Sequence, residues 1–357
     1  MTSKERIKNI LKHQPVDRIG IFEDFWQDTR NDYLEKGKAK KNESLEEHLN
    51  LDIALCQAFN MTLDIDFQPE IICLDKDTVT AKDGNGAILR RHKQNDTTPE
   101  HIDFEIKERP DWEKVKSKLL KTPERRINFD AYRKAKKAAE ESGRFFAWSG
   151  VNVFECINPV CGHENMLAAM ALDPEWIAGM AETYASLTIK LQEILFEKEG
   201  CPDGIWYYED LGFKGKPFIS PQMYKDLIFP HHRHTIDYAH TKGLPVIMHS
   251  CGYIEPLLPG MIEAGIDCLQ LIETEAGMDL LRIYRKYGKK IALMGGIDIR
   301  ALNTNDMSVI DKELESKIPI VKQGYGFIAH NDHPVPKTVE YETFRYYMKK
   351  VLELGAY

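Results

Sequence analysis

Leu244-Pro245-Val246-Ile247-Met248-His249-Ser250-Cys251-Gly252 reads as a short apolar strand that carries an imidazole and a thiol at its carboxyl end. A strand has a period of two residues, so an end that stays extended aims His249 and Cys251 at one spot. Imidazole nitrogen and thiolate sulfur are both Zn²⁺ ligands, and a catalytic zinc takes about three protein ligands and keeps one position open. The pair is thus the beginning of a metal site. A lone His-x-Cys is more often a packed cysteine beside a hydrogen-bonded histidine, so the neighbouring segments have to decide.

Working outward, short apolar runs alternate with helical patterns. Asp173-Pro174 opens an amphipathic helix that continues to about Glu199, with Asp at the N-cap, Pro in the first turn and Gly200 as the stop. Residues 204–208 read as a strand, and Ser220-Pro221 starts a helix running towards Lys242 with a bend at Pro230. Beyond the opening strand come helix 255–264, strand 267–272, helix 278–287, strand 290–294, helix 306–322, strand 326–329 and helix 340–354. Repeated strand and helix units with short links imply parallel strands joined by right-handed crossovers, hence a barrel or a doubly wound sheet. No Gly-x-Gly-x-x-Gly opens these helices, which disfavours the nucleotide-binding sheet.

The first half is less regular. Residues 18–22 and 144–149 read as strands, and 44–59, 111–120 and 129–141 as helices. Asp83-Gly84-Asn85-Gly86 between extended stretches 70–81 and 87–93 is a hairpin signal, so a β-excursion at about 67–106 interrupts the alternation, either as a lid or as a surface embellishment. The first twelve residues read as an amphipathic helical extension without the apolar core of a signal peptide.

Composition narrows the partners. The hydrophobic fraction of 43% and charged fraction of 29% are those of a globular protein, and no run approaches the roughly 18 apolar residues of a membrane span. A net charge of −8 argues against nucleic acid, whose phosphates are met by clustered Lys and Arg. Seven scattered cysteines suit a reducing compartment, so a cytoplasmic protein is expected.

The strand ends, taken in order, strengthen the opening pair. They carry Glu209-Asp210, then His249 and Cys251, then Glu273, then Gly295-Gly296-Ile297-Asp298, and finally His330-Asn331-Asp332-His333. In a parallel barrel those ends share the face on which active sites sit. Singly, Asp298 reads as a cap, Glu273 as solvated and Asp210 as a loop brace. His231-His232-Arg233-His234 looks metal-rich, but contiguous helical positions diverge, so it reads as a partly solvated face. Cys156 and Cys161 read as packing residues.

The chain carries Ser3-Lys-Glu-Arg-Ile7, Gln14-Pro-Val-Asp-Arg18, Glu209-Asp-Leu-Gly212, Ile219-Ser-Pro-Gln-Met223 and His249-Ser-Cys-Gly252. Further on it carries Glu263-Ala-Gly-Ile-Asp267, Ala276-Gly-Met-Asp279, Gly295-Gly-Ile-Asp298 and Asp332-His-Pro-Val-Pro336. In these motifs it resembles the uroporphyrinogen decarboxylase superfamily, and within it the corrinoid-dependent methyltransferase branch. The resemblance implies an α/β fold, a (β/α)8 TIM barrel in one domain over 1–357. Decarboxylases proper carry an arginine-rich Arg-Gln-Ala-Gly-Arg motif near the N-terminus that holds substrate carboxylates. Here the comparable stretch is Phe22-Glu23-Asp24-Phe25-Trp26, whose acids would repel a polycarboxylate.

In the methyltransferase branch His249-x-Cys251 is the zinc-binding half, and the third ligand is a cysteine of the last strand-end loop. That loop holds no cysteine here, and His333 takes the matching position, with Glu273, His330 and Asp332 as alternates. The resemblance implies zinc, and a cobalamin carried on a separate corrinoid-binding protein. Zinc would act on the heteroatom of a methyl donor such as a methoxylated aromatic, or in reverse would bind a thiol that takes the methyl group from methylcobalamin. Phe25, Trp26 and Tyr207 are candidate walls for an aromatic donor, and Tyr208, Glu209 and Asp210 candidate groups for orienting it or moving a proton. The aromatics at 206–208 read equally well as barrel core. A metal-free decarboxylase using Asp210 and His333, and a silent corrinoid-docking protein, are the competing readings. A homodimer is compatible with all three.

Overall fold

The computed structural model describes residues 1–38, 44–93, 99–121 and 123–357. Its central sheet contains Gly20–Ile21 (β1), Ile53–Gln57 (β2), Phe145–Val151 (β3), Gly204–Tyr208 (β4), Val246–His249 (β5), Cys268–Gln270 (β6), Ala292–Met294 (β7) and Phe327–Ala329 (β8). These eight strands pair in parallel in the order β1-β8-β7-β6-β5-β4-β3-β2, so β2 to β8 follow one another in sequence order and β1 pairs with β8, as in a TIM barrel. Asp52 joins the two outermost strands. Its backbone N–H donates to Ile21 O at 2.9 Å, and its carboxylate accepts from Ile21 N–H at 2.8 Å. Arg6 and Arg18 pair with this buried carboxylate at 2.8 and 2.7 Å, which offsets a desolvation cost of several kcal/mol.

The period of two sorts each strand into an inner and an outer set. Ile53, Phe145, Ala147, Trp206, Ile247, Cys268, Ala292, Met294 and Ile328 form one buried cluster inside the barrel. Ile7 and Ile10 of the first helix, Ser3–Ile10, belong to the same cluster and seal its lower end. Phe146, Trp148, Ile205, Tyr207, Val246, Met248, Leu269 and Leu293 face outward into the larger core against the helices.

The helices fall where capping chemistry places them. Ser220 Oγ accepts from Met223 N–H, Asp279 from Arg282 N–H and Asp306 from Ser308 N–H. The helix that follows residue 220 is interrupted by a π-helical turn at Tyr224–Ile228, ahead of the bend expected at Pro230. One expectation fails outright: residues 44–59 are not a helix. Leu45–His48 forms one helical turn, and Ile53–Gln57 is β2, paired over its whole length with β3. A run such as Ile-Ala-Leu-Cys is ambiguous by period, and the neighbouring strand decides it.

The excursion is larger than a hairpin. Strands Glu70–Leu74, Thr78–Lys82, Ala87–His92 and Glu100–Phe104 form an antiparallel sheet in sequence order, with residues 94–98 outside the described set. The stretch read as one strand, 70–81, turns at Asp75, whose backbone N–H donates to Thr78 O at 3.0 Å. The expected turn is present at Asp83, whose carboxylate accepts from Asn85 N–H at 2.9 Å and Ala87 N–H at 3.0 Å. Phe104 anchors the sheet on helix Val153–Leu172 at Gly162, where an added Cβ would stand 2.3 Å from the Phe104 ring.

Candidate active site

Strand register builds the site. Tyr208 of β4 lies opposite His249 of β5, and His249 lies opposite Gln270 of β6. All three share the inward parity of Trp206, Ile247 and Cys268 and so stand at the top of the barrel interior. The Tyr208 and His249 rings meet edge to face at 5.3 Å. His249 Nδ1 donates to Gln270 Oε1, which fixes the ring and directs Nε2 away from Gln270. Nε2 lies 3.1 Å from Cys251 Sγ and 3.2 Å from Asp210 Oδ1.

Asp210, His249 and Cys251 offer carboxylate, imidazole and thiol atoms that all lie within 4.8 Å of one another. Among the described residues, no other group of three His, Cys, Asp or Glu side chains converges in this way. Two loops hold it together. Cys251 N–H donates to Asp210 Oδ1 at 3.0 Å, and Leu211 N–H donates to Ser250 Oγ at 3.1 Å. The loops touch backbone to backbone at Gly212 and Gly252. Gly252 has φ +80°, and a Cβ there would stand 2.3 Å from Gly212 C.

The electrostatics suit a cation. Burial pushes the Asp210 carboxyl up, but His249 and the Cys251 N–H outweigh it and hold the group below its ordinary range. Burial opposes protonation of His249, yet the neighbouring Cys251 and Asp210 keep its pKa well above normal. Burial raises the Cys251 thiol, which His249 partly offsets. A divalent cation would displace the proton this cluster retains. His330 behaves differently: burial and the nearby His249 push it down to about 3, leaving a neutral ring stacked 5.3 Å from Phe22.

The other candidate ligands form a second layer. Glu273 Oε2 accepts from Gly252 N–H at 2.6 Å, and Glu273 Oε1 lies 3.7 Å from His333 Nε2. Asp332 accepts from Thr274 N–H at 3.0 Å and Ile299 N–H at 2.9 Å, tying two strand-end loops together. The structure therefore brings His249 and Cys251 together as expected, but it sets Asp210 beside them where His333 was expected.

Several expected residues lie elsewhere. Glu209 is fully buried with its carboxylate turned to the start of helix Val153–Leu172, where Phe154 N–H and Glu155 N–H donate at 2.8 and 3.1 Å. His232 Nε2 approaches the same carboxylate at 2.5 Å, and Tyr224 Oη meets His232 Nδ1 at 2.9 Å. His232 is thus not part of a solvated face. Tyr207 points outward to Gln192 at 3.1 Å, because it has the opposite parity to Tyr208. Phe25 is buried against Phe344 at 5.1 Å, and Trp26 is 52% exposed, so neither forms a wall with Tyr207. Glu23 is sealed against Tyr347 and Asn331 at 2.6 and 3.0 Å, so it offers no repulsive charge at the mouth.

Sequence reasoning missed Gln270, Phe22 and Glu155. Parity along residues 267–272 could have found Gln270. Glu155 has no sequence signal. Burial, followed by the charges of Asp210 and Glu209, pushes its carboxyl up to about 8.

The sequence profile of the family described as uroporphyrinogen decarboxylase (URO-D) matches residues 152–354, more than half of the chain. The chain belongs to the uroporphyrinogen decarboxylase family. A solved methyltransferase from Methanosarcina mazei shares the fold with a TM-score of 0.68 and 14% identity, over 99% of this chain and 98% of that one. The old yellow enzyme from Trypanosoma cruzi aligns at a TM-score of 0.33 and 12% identity, over 57% of this chain and 67% of that one. No curated protein matches the sequence significantly.

Proposed function

We propose that the chain is a zinc-dependent methyltransferase of a corrinoid system, moving a methyl group between a small donor and cobalamin on a separate protein. The observation that carries this reading is the convergence of Asp210, His249 and Cys251 on one point at the barrel mouth. Nitrogen, sulfur and oxygen donors at this spacing match the ligand set of a catalytic zinc with an open position. The shared fold of the Methanosarcina mazei methyltransferase over nearly the whole chain supports the same class.

Bound there, zinc supplies Lewis acidity to the heteroatom that carries the methyl group. The chain's own residues do the rest. Gln270 holds the His249 ring, so that Nε2 faces Cys251 and Asp210. Tyr208 packs edge to face against one side of the imidazole. Glu273 fixes the Cys251 loop through Gly252 N–H. Glu155, uncharged near neutral pH, can hold or give up a proton beside Asp210. The donor is a small methylated molecule such as a methoxylated aromatic. In the protein's cell we place the enzyme in the cytoplasm.

The test is zinc content by elemental analysis of wild type beside Asp210→Ala, His249→Ala, Cys251→Ala and His333→Ala. About one zinc per chain is expected, lost from the first three variants and retained in the fourth. Absence of zinc after anaerobic reconstitution would sink the mechanism and favour a metal-free decarboxylase.

A further inference from the structure

A second compartment opens over the ends of β2 and β3, with Glu155 in its lining. It is a cavity of about 410 Å³ between those strand ends and helix Val153–Leu172, within the size range of small-molecule sites. Phe59 and Trp148 form an aromatic wall, their rings 4.7 Å apart, and Met61 adds to it. Trp148 Nε1, Ser149 Oγ and Glu155 Oε1 also belong to residues lining this cavity, and all three are buried without a hydrogen-bond partner among the described residues. Buried polar atoms ordinarily find partners, and each one left bare costs about 1–3 kcal/mol. Of the three, Glu155 Oε1 belongs to the acid of this lining, and a ligand that reached it would supply the missing contact.

The lining selects the ligand. None of the described residues around the cavity is Lys, Arg or His, and its one carboxylic acid is Glu155. An anionic ligand would be desolvated there with no counter-charge. We infer that the cavity binds an uncharged, ring-sized molecule that donates a hydrogen bond to Glu155, a phenol or an aromatic amine, and rejects carboxylates. Its identification with the body of the methyl donor rests on the proposed function; the binding site itself does not.

The test is calorimetric titration of the full chain with 2-methoxyphenol and with 2-methoxybenzoate near neutral pH, each with and without zinc. The phenol is expected to bind and the benzoate to bind at least tenfold more weakly. Glu155→Leu is expected to weaken phenol binding about tenfold. Gln57→Trp, a filling substitution at the exposed rim, is expected to abolish it while circular dichroism stays unchanged. Equal affinity for both probes, no phenol binding at millimolar concentration, or affinity untouched by both variants would overturn the inference. Phenol binding by protein that takes up no zinc would leave the cavity assignment standing and remove the zinc reading. Zinc uptake without phenol binding would do the reverse.

Discussion

Gln270 shows how one uncharged side chain can set the geometry of the proposed metal site. By accepting from His249 Nδ1 it sets which nitrogen faces Cys251 and Asp210, a role that partners of metal-bound histidines commonly play. Gln270→Leu keeps the size and removes the acceptor. It is expected to weaken zinc binding about 10–100-fold, read by competition with a chromogenic chelator, while leaving the fold intact. An unchanged affinity would mean that packing against Tyr208 alone orients the ring. His249 and Cys251 were legible because their spacing matches the strand period. Asp210 was visible as a strand-end acid but not as their partner, because that contact spans 39 or more residues and exists only once β4 and β5 pair.

At the scale of elements, helix Val153–Leu172 joins the features of the mouth. Glu209 caps its first turn, Glu155 faces the cavity, and Gly162 breaks it where Phe104 of the excursion sheet inserts. Gly162 has φ 75° and ψ 156°, a conformation open almost only to glycine. Gly162→Ala is therefore expected to destabilise the protein by about 1–3 kcal/mol in denaturant titration, from the backbone strain alone, and to loosen the excursion sheet in hydrogen exchange. Retained protection across residues 70–92 would show that the sheet is anchored elsewhere. Neither the helix break nor the four-stranded sheet was readable in advance. Gly162 is one glycine in an apolar stretch, and nothing local announces that an aromatic ring from residue 104 needs the space.

Across the whole molecule, Glu23 links the segment after β1 to the segment after β8 and to the last helix, through Asn331 and Tyr347. Burial raises its carboxyl from an ordinary 4.5 to about 8. The folded state therefore holds a proton that the unfolded chain releases, so stability present below pH 4.5 is lost as pH rises towards about 8. Wild type is expected to show a lower Tm at pH 9 than at pH 6, with Glu23→Gln showing a smaller drop; equal drops would refute the assignment. From its sequence alone the chain determined the alternation of its second half, the parity that aims His249 and Cys251 together, and the motifs of its family. These signals are local, because strand period, caps and turn residues act within a few positions. Tertiary structure decided the rest: Ile53–Gln57 as a strand, Asp210 as the third member of the cluster, and Tyr207 turned out while Tyr208 turns in. Those outcomes depend on which strand pairs with which and in what register, and a shift of one residue would exchange every inward side chain for an outward one.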